Sequence, residues 1–350
     1  MFCLLYLLIM NTTKSKNLNK EKICLGIEST AHTFGVGIIT SSGKILANSK
    51  KQFVSNEGGM KPYAVSIHHY NCAIDVLKDA LSCSKLHMSD VDIISFSLGP
   101  GMGPSLSVSA TLARTLSIKY NKPIVGVNHC VAHIEIAKTL TKCSDPLVIF
   151  VSGANTQIIA KDQDRYKIVG ETLDIGLGNL LDNFARLLGY GFPGGPILDK
   201  LYFKGNPDNY IDLPYSVKGM DLAFSGLLTA GKKLIKENKD INKNDLIYSF
   251  VHTAYAMLLE VVDRALSYTK KKEVIVIGGV AASKSLAGML KKLCKQNKVK
   301  LYIPPMVVCL DNGVIIADLG LKYYLHNQTH TLEETVSNAK FRTDQAVVYW

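Results

Sequence analysis

A chain of 350 residues, 47% of them hydrophobic, can bury two cores of ordinary size, so two lobes are expected rather than one. The formal net charge of +11 suits a phosphate-rich partner, nucleic acid first, although lysine runs such as 270–272 are equally the mark of solvated helix faces. The eight cysteines include no C-x-x-C pair and no disulfide-like spacing, which excludes a zinc knuckle and fits a reducing compartment.

Residues 1–10, MFCLLYLLIM, lack a basic leading segment and a small-residue cleavage site, and are too short to span a bilayer. A short apolar extension, or a start at Met10, is expected there rather than a signal peptide, and the Asn/Lys/Thr-rich stretch 11–22 reads as disordered. A buried-type strand over 23–27 then runs into the small polar loop Glu28-Ser29-Thr30-Ala31. A strand over 34–40, the turn Ser41-Ser42-Gly43 and a strand over 44–48 follow. The glycine-rich turn from Gly99 to Ser105 leads into a helix over 106–120, with Pro104 near its first turn.

The next strand, 123–127, ends at Asn128, a good N-cap, and His129 and His133 come directly after it. Four residues apart on a helix, the two imidazoles share one face, as two ligands of one metal ion require. Satisfied structural histidines would show the same spacing. A zinc protease needs a Glu directly after the first His; here that position is Cys130, so a peptidase lacks its base.

The opening plan then recurs: strand 147–151, loop Ser152-Gly153-Ala154-Asn155, strand 156–161, turn 162–164 and strand 165–169. Two such hairpins predict duplicated lobes that face each other. Small residues in their loops let backbone N–H groups approach phosphate oxygens, so a nucleotide between the lobes is expected. A helix over 179–188 carries the apolar stripe Leu177, Leu180, Leu181, Phe184 and Leu188, leaving Asp182 on its polar side, either paired with Arg186 or free to reach a ribose hydroxyl. After the turn Gly191–Pro196, a buried strand from Val274 opens into Gly278-Gly279-Val280-Ala281-Ala282-Ser283. That turn suits an adenine ring or close helix–strand packing. Asp311 ends an apolar, strand-like run from Pro304; it is either the third metal ligand or the N-cap of a helix over 314–324.

The runs GIESTAHTFGVGI, LGPGMGPSL, VNHCVAHIE, VSGANTQ, GETLDIGLGNLLDNFARLLG, FPGGP, GGVAAS and FRTDQAVVYW resemble the tRNA N6-adenosine threonylcarbamoyltransferases, formerly called O-sialoglycoprotein endopeptidases. The likeness covers nearly everything from Ile23 onward and is to the archaeal and eukaryotic cytosolic branch, the catalytic subunit of the KEOPS complex. It implies an α/β, actin-like ATPase fold of the sugar kinase and Hsp70 superfamily, with a nucleotide and metal cleft between two duplicated lobes. The implied division is an extension over 1–22, a first lobe over 23–145, a second over 146–317, and a C-terminal helix and tail over 318–350 that returns to the first lobe.

The activity so implied is transfer of a threonylcarbamoyl group from threonylcarbamoyl-adenylate to the N6 amine of the adenosine 3′ of the tRNA anticodon. His129, His133 and Asp311 match the family's ligands for one divalent ion per subunit, zinc or iron on this donor set. Val151, Ser152 and Gly153 match its phosphate-loop contacts, and Asp182, Gly195 and Asp199 its nucleotide or substrate contacts. The resemblance also implies tRNA, an atypical kinase subunit, and a small dimerising subunit with its accessory subunits as partners. It implies no membrane, and a place in cytoplasm and nucleus.

Three residues depart from the family pattern. Phe150 stands where a Tyr usually reaches the metal, Ala154 replaces the second glycine of S-G-G, and Ser283 replaces an Asn. A φ > 0 conformation at Ala154 would cost about 1 kcal/mol. A phosphotransferase of the same superfamily and a weakly catalytic KEOPS scaffold are the competing functions.

Overall fold

The computed structural model describes residues 21–54, 61–238 and 240–350. The expectation for 1–22 therefore lies outside the described residues, apart from Glu21 and Lys22.

Three antiparallel strands open the first lobe: β1 (Ile23–Glu28), β2 (Thr33–Thr40) and β3 (Ile45–Gln52). Helix α1 (Pro62–Ser84), strand β4 (Ile93–Gly99), helix α2 (Gly103–Tyr120), strand β5 (Ile124–Asn128) and helix α3 (His129–Thr141) follow. The resulting sheet runs β3-β2-β1-β4-β5, with β4 and β5 parallel to β1. Every residue of β2 is buried, because helices cover both faces, and the strand accordingly shows no polar alternation.

The second lobe repeats the plan with β6 (Pro146–Val151), β7 (Thr156–Asp162) and β8 (Arg165–Glu171). Helices α4 (Leu177–Leu187) and α5 (Gly195–Tyr202), the short hairpin β9 (Val217–Lys218) and β10 (Asp221–Leu222), and helices α6 (Ser225–Glu237) and α7 (Lys243–Thr269) come next. Strand β11 (Glu273–Ile277), helix α8 (Lys284–Gln296) and strand β12 (Lys300–Tyr302) complete a sheet of order β12-β11-β6-β7-β8, strand for strand the counterpart of the first. The duplication expected from the two hairpins is the architecture. Helix α7 is long and apolar enough to cross a membrane, yet most of it is buried against the rest of the protein, and Phe250 stacks on Phe184 of α4 at 3.6 Å.

The run from Pro304 to Leu310 is not the strand its apolar character suggested. Residues Met306–Cys309 form a short helical turn, α9, because Pro304 and Pro305 have no N–H to give a ladder and carry the chain off the sheet. Helix α10 (Gly313–Leu325) follows and lies whole on β1 and β2, ahead of the lobe boundary expected after residue 317. It is buried nearly all round, with Lys322 pairing to Asp318 at 3.3 Å, as a mostly apolar helix enclosed by the core should be. Glycines let it approach: a Cβ on Gly26 or Gly37 would collide with the backbone of Ala317 or Val314.

The lobes are also joined by polar contacts. Glu135 of α3, 1% exposed, accepts from Tyr166 Oη of β8, from Lys138 and Lys322 Nζ at 3.3 and 2.9 Å, and from Trp350 Nε1 at 2.7 Å. Burial pushes its pKa up, but Lys322 and Lys138 outweigh that and hold it at about 2.

Candidate metal centre and nucleotide cleft

Strand β5 delivers the chain to Asn128, whose Oδ1 accepts from Val131 N at 3.1 Å and so starts α3 at His129. Its Nδ2 donates to the carbonyls of Phe341 and Arg342 at 2.9 and 3.2 Å, tying the helix start to the C-terminal tail. The two imidazoles then share one face, ring centroids 4.6 Å apart and planes at 87°. Nε2 of His129 and Nε2 of His133 lie 3.4 and 3.2 Å from one oxygen, Oδ1 of Asp311. Asp311 is free to face them because Asn312 does the capping, accepting from Val314 N at 2.9 Å and Ile315 N at 3.3 Å.

Behind His129 stands a residue that motif reading did not single out. Glu28, fully buried at the end of β1, accepts the Nδ1–H of His129 at 3.0 Å, while Thr30 donates to the same carboxylate from its N–H at 2.6 Å and from its hydroxyl. A carboxylate on Nδ1 holds a proton on that nitrogen and turns Nε2 toward Asp311, the support a metal-ligating histidine usually has. The only local signal was an acidic residue closing a buried strand. His133 has no such partner among the described residues: its Nδ1 is buried without a hydrogen bond there, and the Phe150 ring packs 5.6 Å away.

Burial lowers the pKa of His129, but the carboxylates of Glu28 and Asp311 outweigh it and raise the imidazole well above its ordinary value. Burial likewise raises Asp311, and the two imidazoles overcome it, holding the carboxyl well below the usual range. The three ligand atoms lie within 4.8 Å of one another. Two imidazole nitrogens and one carboxylate oxygen, converging and backed by Glu28, fit a divalent ion with coordination positions left open.

The loop after β6 closes on itself: Ser152 N donates to Asn155 O at 2.8 Å and Asn155 N to Ser152 Oγ at 3.1 Å. It docks on the start of α4, where Gly178 N donates to Ser152 O at 3.0 Å and Asn179 N to Gly153 O at 2.9 Å. Gly278, at φ +90°, closes the back: a Cβ there would collide with the Val151 carbonyl. Ala154 is exposed and keeps a negative φ, so the strain anticipated for it is not incurred.

Asp182 forms no ion pair with Arg186 among the described residues. Its Oδ1 instead accepts from Gly194 N at 2.7 Å and Gly195 N at 3.4 Å, shaping the turn that leads into α5. Burial raises its pKa. Asp199, on α5, faces the start of α8, accepting from Ser283 Oγ at 2.7 Å and from the N–H groups of Lys284 and Ser285 at 3.0 Å. Ser283 in turn caps α8 through Leu286 N at 3.1 Å. Thus His129, His133 and Asp311 form one cluster; Val151, Ser152, Gly153, Asp182 and Gly195 gather around α4; and Asp199 sits one element further on. Phe150, against His133, and Val151 are successive residues of β6, which links the first cluster to the second.

Two lobes with matching sheets, a small-residue loop after the first strand of each, and a converging His/His/Asp cluster define an actin-like ATPase-type fold with a candidate metal centre. Solved structures share that fold. HypF of T. kodakarensis superposes with a TM-score of 0.62 at 16% identity, over 88% of this chain and 48% of its own. Component A of the (R)-2-hydroxyglutaryl-CoA dehydratase of Acidaminococcus fermentans does so at 0.54 and 14%, over 87% and 99%.

The profile of the family described as TsaD, tRNA N6-adenosine threonylcarbamoyltransferase, matches residues 44–318. Over 328 residues the chain is 48% identical to the Thermococcus sibiricus protein of that name, covering 94% of this chain and 100% of that one. It is 44% identical to the probable bifunctional tRNA threonylcarbamoyladenosine biosynthesis protein of Methanothermobacter thermautotrophicus, of which it spans 61%. The chain belongs to the tRNA N6-adenosine threonylcarbamoyltransferase family, and it is a transferase of tRNA modification.

Proposed function

We propose that the protein moves the threonylcarbamoyl group of threonylcarbamoyl-adenylate to the N6 amine of the adenosine 3′ of the anticodon, with a divalent ion held by His129, His133 and Asp311. The observation that carries this reading is the convergence of those three side chains on one point, with Glu28 fixing His129 from behind. When bound, the ion supplies charge stabilisation to the phosphate of the leaving adenylate. The Ser152–Asn155 loop presents its backbone to that phosphate, and Asp182 holds the Gly194–Gly195 turn that borders the nucleotide. An exocyclic adenine amine is a weak nucleophile, so the mixed anhydride and the fixed geometry supply most of the drive.

The same reading places the chain in KEOPS, in cytoplasm and nucleus, with zinc or iron as the ion. Helix α1 supports a docked partner: Tyr63, Ile67, Tyr70 and Ile74, on one face, are 74, 43, 73 and 51% exposed. On the family resemblance, this surface would receive the small dimerising subunit and the second lobe the kinase subunit.

The test is reconstitution with partner subunits, unmodified tRNA, threonine, bicarbonate, ATP and an adenylate-forming enzyme, comparing wild type with His133→Ala. Modified adenosine is expected only with wild type. Equal product from the variant overturns the metal assignment, and none from either favours the scaffold.

A further inference from the structure

Lys50 lies on β3 directly opposite Gly35 of β2 in the antiparallel ladder. Opposed residues of such a pair project on the same face of the sheet. A Cβ on Gly35 would come within 3.0 Å of Gly313 N and 3.4 Å of Asn312 Cα, so that face is the one packed by the residues just after Asp311. Lys50 therefore leaves the first lobe toward the metal centre, and it is half-buried there. Its neighbour Lys51, on the opposite face, pairs with Asp75 at 3.3 Å. Lys50 has no equivalent: among the described residues its ammonium makes no hydrogen bond and no ion pair. Burial lowers its pKa, and the field of the Asp311 carboxylate offsets part of that.

An ammonium that has lost part of its hydration without gaining a counter-charge is poised for an anion. The nearby carboxylates are already committed, Glu28 to His129 and Asp311 to both imidazoles. With a divalent ion in place, those two carboxylates and the ion cancel, and the charge of Lys50 is left over. We propose that Lys50 is an anion-binding residue of the cleft, which receives an anionic group of the acyl donor, either its phosphate or the carboxylate of its amino-acid part. The inference rests on the acyl-adenylate reading of the cleft given above.

The experiment is calorimetric titration of the zinc-loaded full chain with AMP, adenosine and N-carbamoyl-threonine, using wild type, Lys50→Met and Lys50→Arg, with metal content measured in each. Lys50→Met is expected to weaken AMP or N-carbamoyl-threonine by about 10-fold or more, as loss of a charge-assisted hydrogen bond would. Adenosine binding and metal content stay unchanged, and Lys50→Arg recovers most of the loss. The ligand that weakens identifies the group, phosphate for AMP and carboxylate for N-carbamoyl-threonine. Equal affinities for wild type and Lys50→Met overturn the proposal. So does tighter metal binding with unaltered anion affinity, which would make Lys50 only a counter-charge of Asp311. Failure of wild type to bind either anion defeats the acyl-adenylate reading itself, and this proposal with it.

Discussion

The loops after β1 and β6 hold equivalent places in the duplicated lobes, yet Glu28, Ser29 and Thr30 are at most 3% exposed while Gly153 and Ala154 stand open. The first loop has turned its side chains inward. Ser29 donates to Ser109 Oγ at 2.6 Å, its N–H reaches Ser97 Oγ at 3.2 Å, and Glu28 holds His129. The second loop is pinned by its own backbone and keeps its outer surface clear. On the proposed function, one hairpin serves as scaffolding for an ion-binding centre, and its copy as a cradle for a ligand.

Glu28→Ala should break that division most severely. Loss of the Nδ1 acceptor is expected to weaken metal binding by about 10–100-fold, with Glu28→Gln in between, measured by competition with a chelator. Unchanged affinity would mean that the first loop supports nothing. Gly178→Ala probes the other side, since a Cβ there would sit 2.6 Å from the Ser152 carbonyl. AMP affinity should fall by about 10-fold or more as the loop shifts, with metal content intact. Coupled loss of both would show that the two loops do not act separately. The smallest effect belongs to Ala154→Gly: with φ already negative, only the added freedom of the unfolded chain counts, so unfolding free energy should fall by no more than about 1 kcal/mol and AMP affinity not change at all. A marked gain in AMP affinity would instead make the methyl an obstacle in the cradle.

Much of this was legible in the chain. Strands buried on both faces, cut by short turns and repeated in order, spelled out the duplicated sheets, and the i,i+4 histidines after a capping Asn supplied two of the three converging side chains. What escaped depends on contacts made through space. Glu28 and His129 are 101 positions apart, and no spacing rule connects them. Asp311 and Asn312 are both good caps, and only the packing of α10 decides which one is spared for the histidines. Asp182 had a ready partner in Arg186 one turn away, but burial beside the Gly194–Gly195 turn put two unpaired N–H groups closer to hand. The apolar run before Asp311 carried a strand's composition, and its two prolines overrode it.

The contact of α10 with β1 and β2 has a consequence for the ion. Asp311 comes from the second lobe's end of the chain, yet just beyond it Gly313 meets Gly37 with backbone against backbone. At that point no rotamer lies between helix and sheet to absorb a displacement, so the carboxylate takes its height above the histidines from the thickness of a peptide group. A methyl added at Gly26 or Gly37, which carry no ligand, is therefore expected to lift the aspartate off its mark.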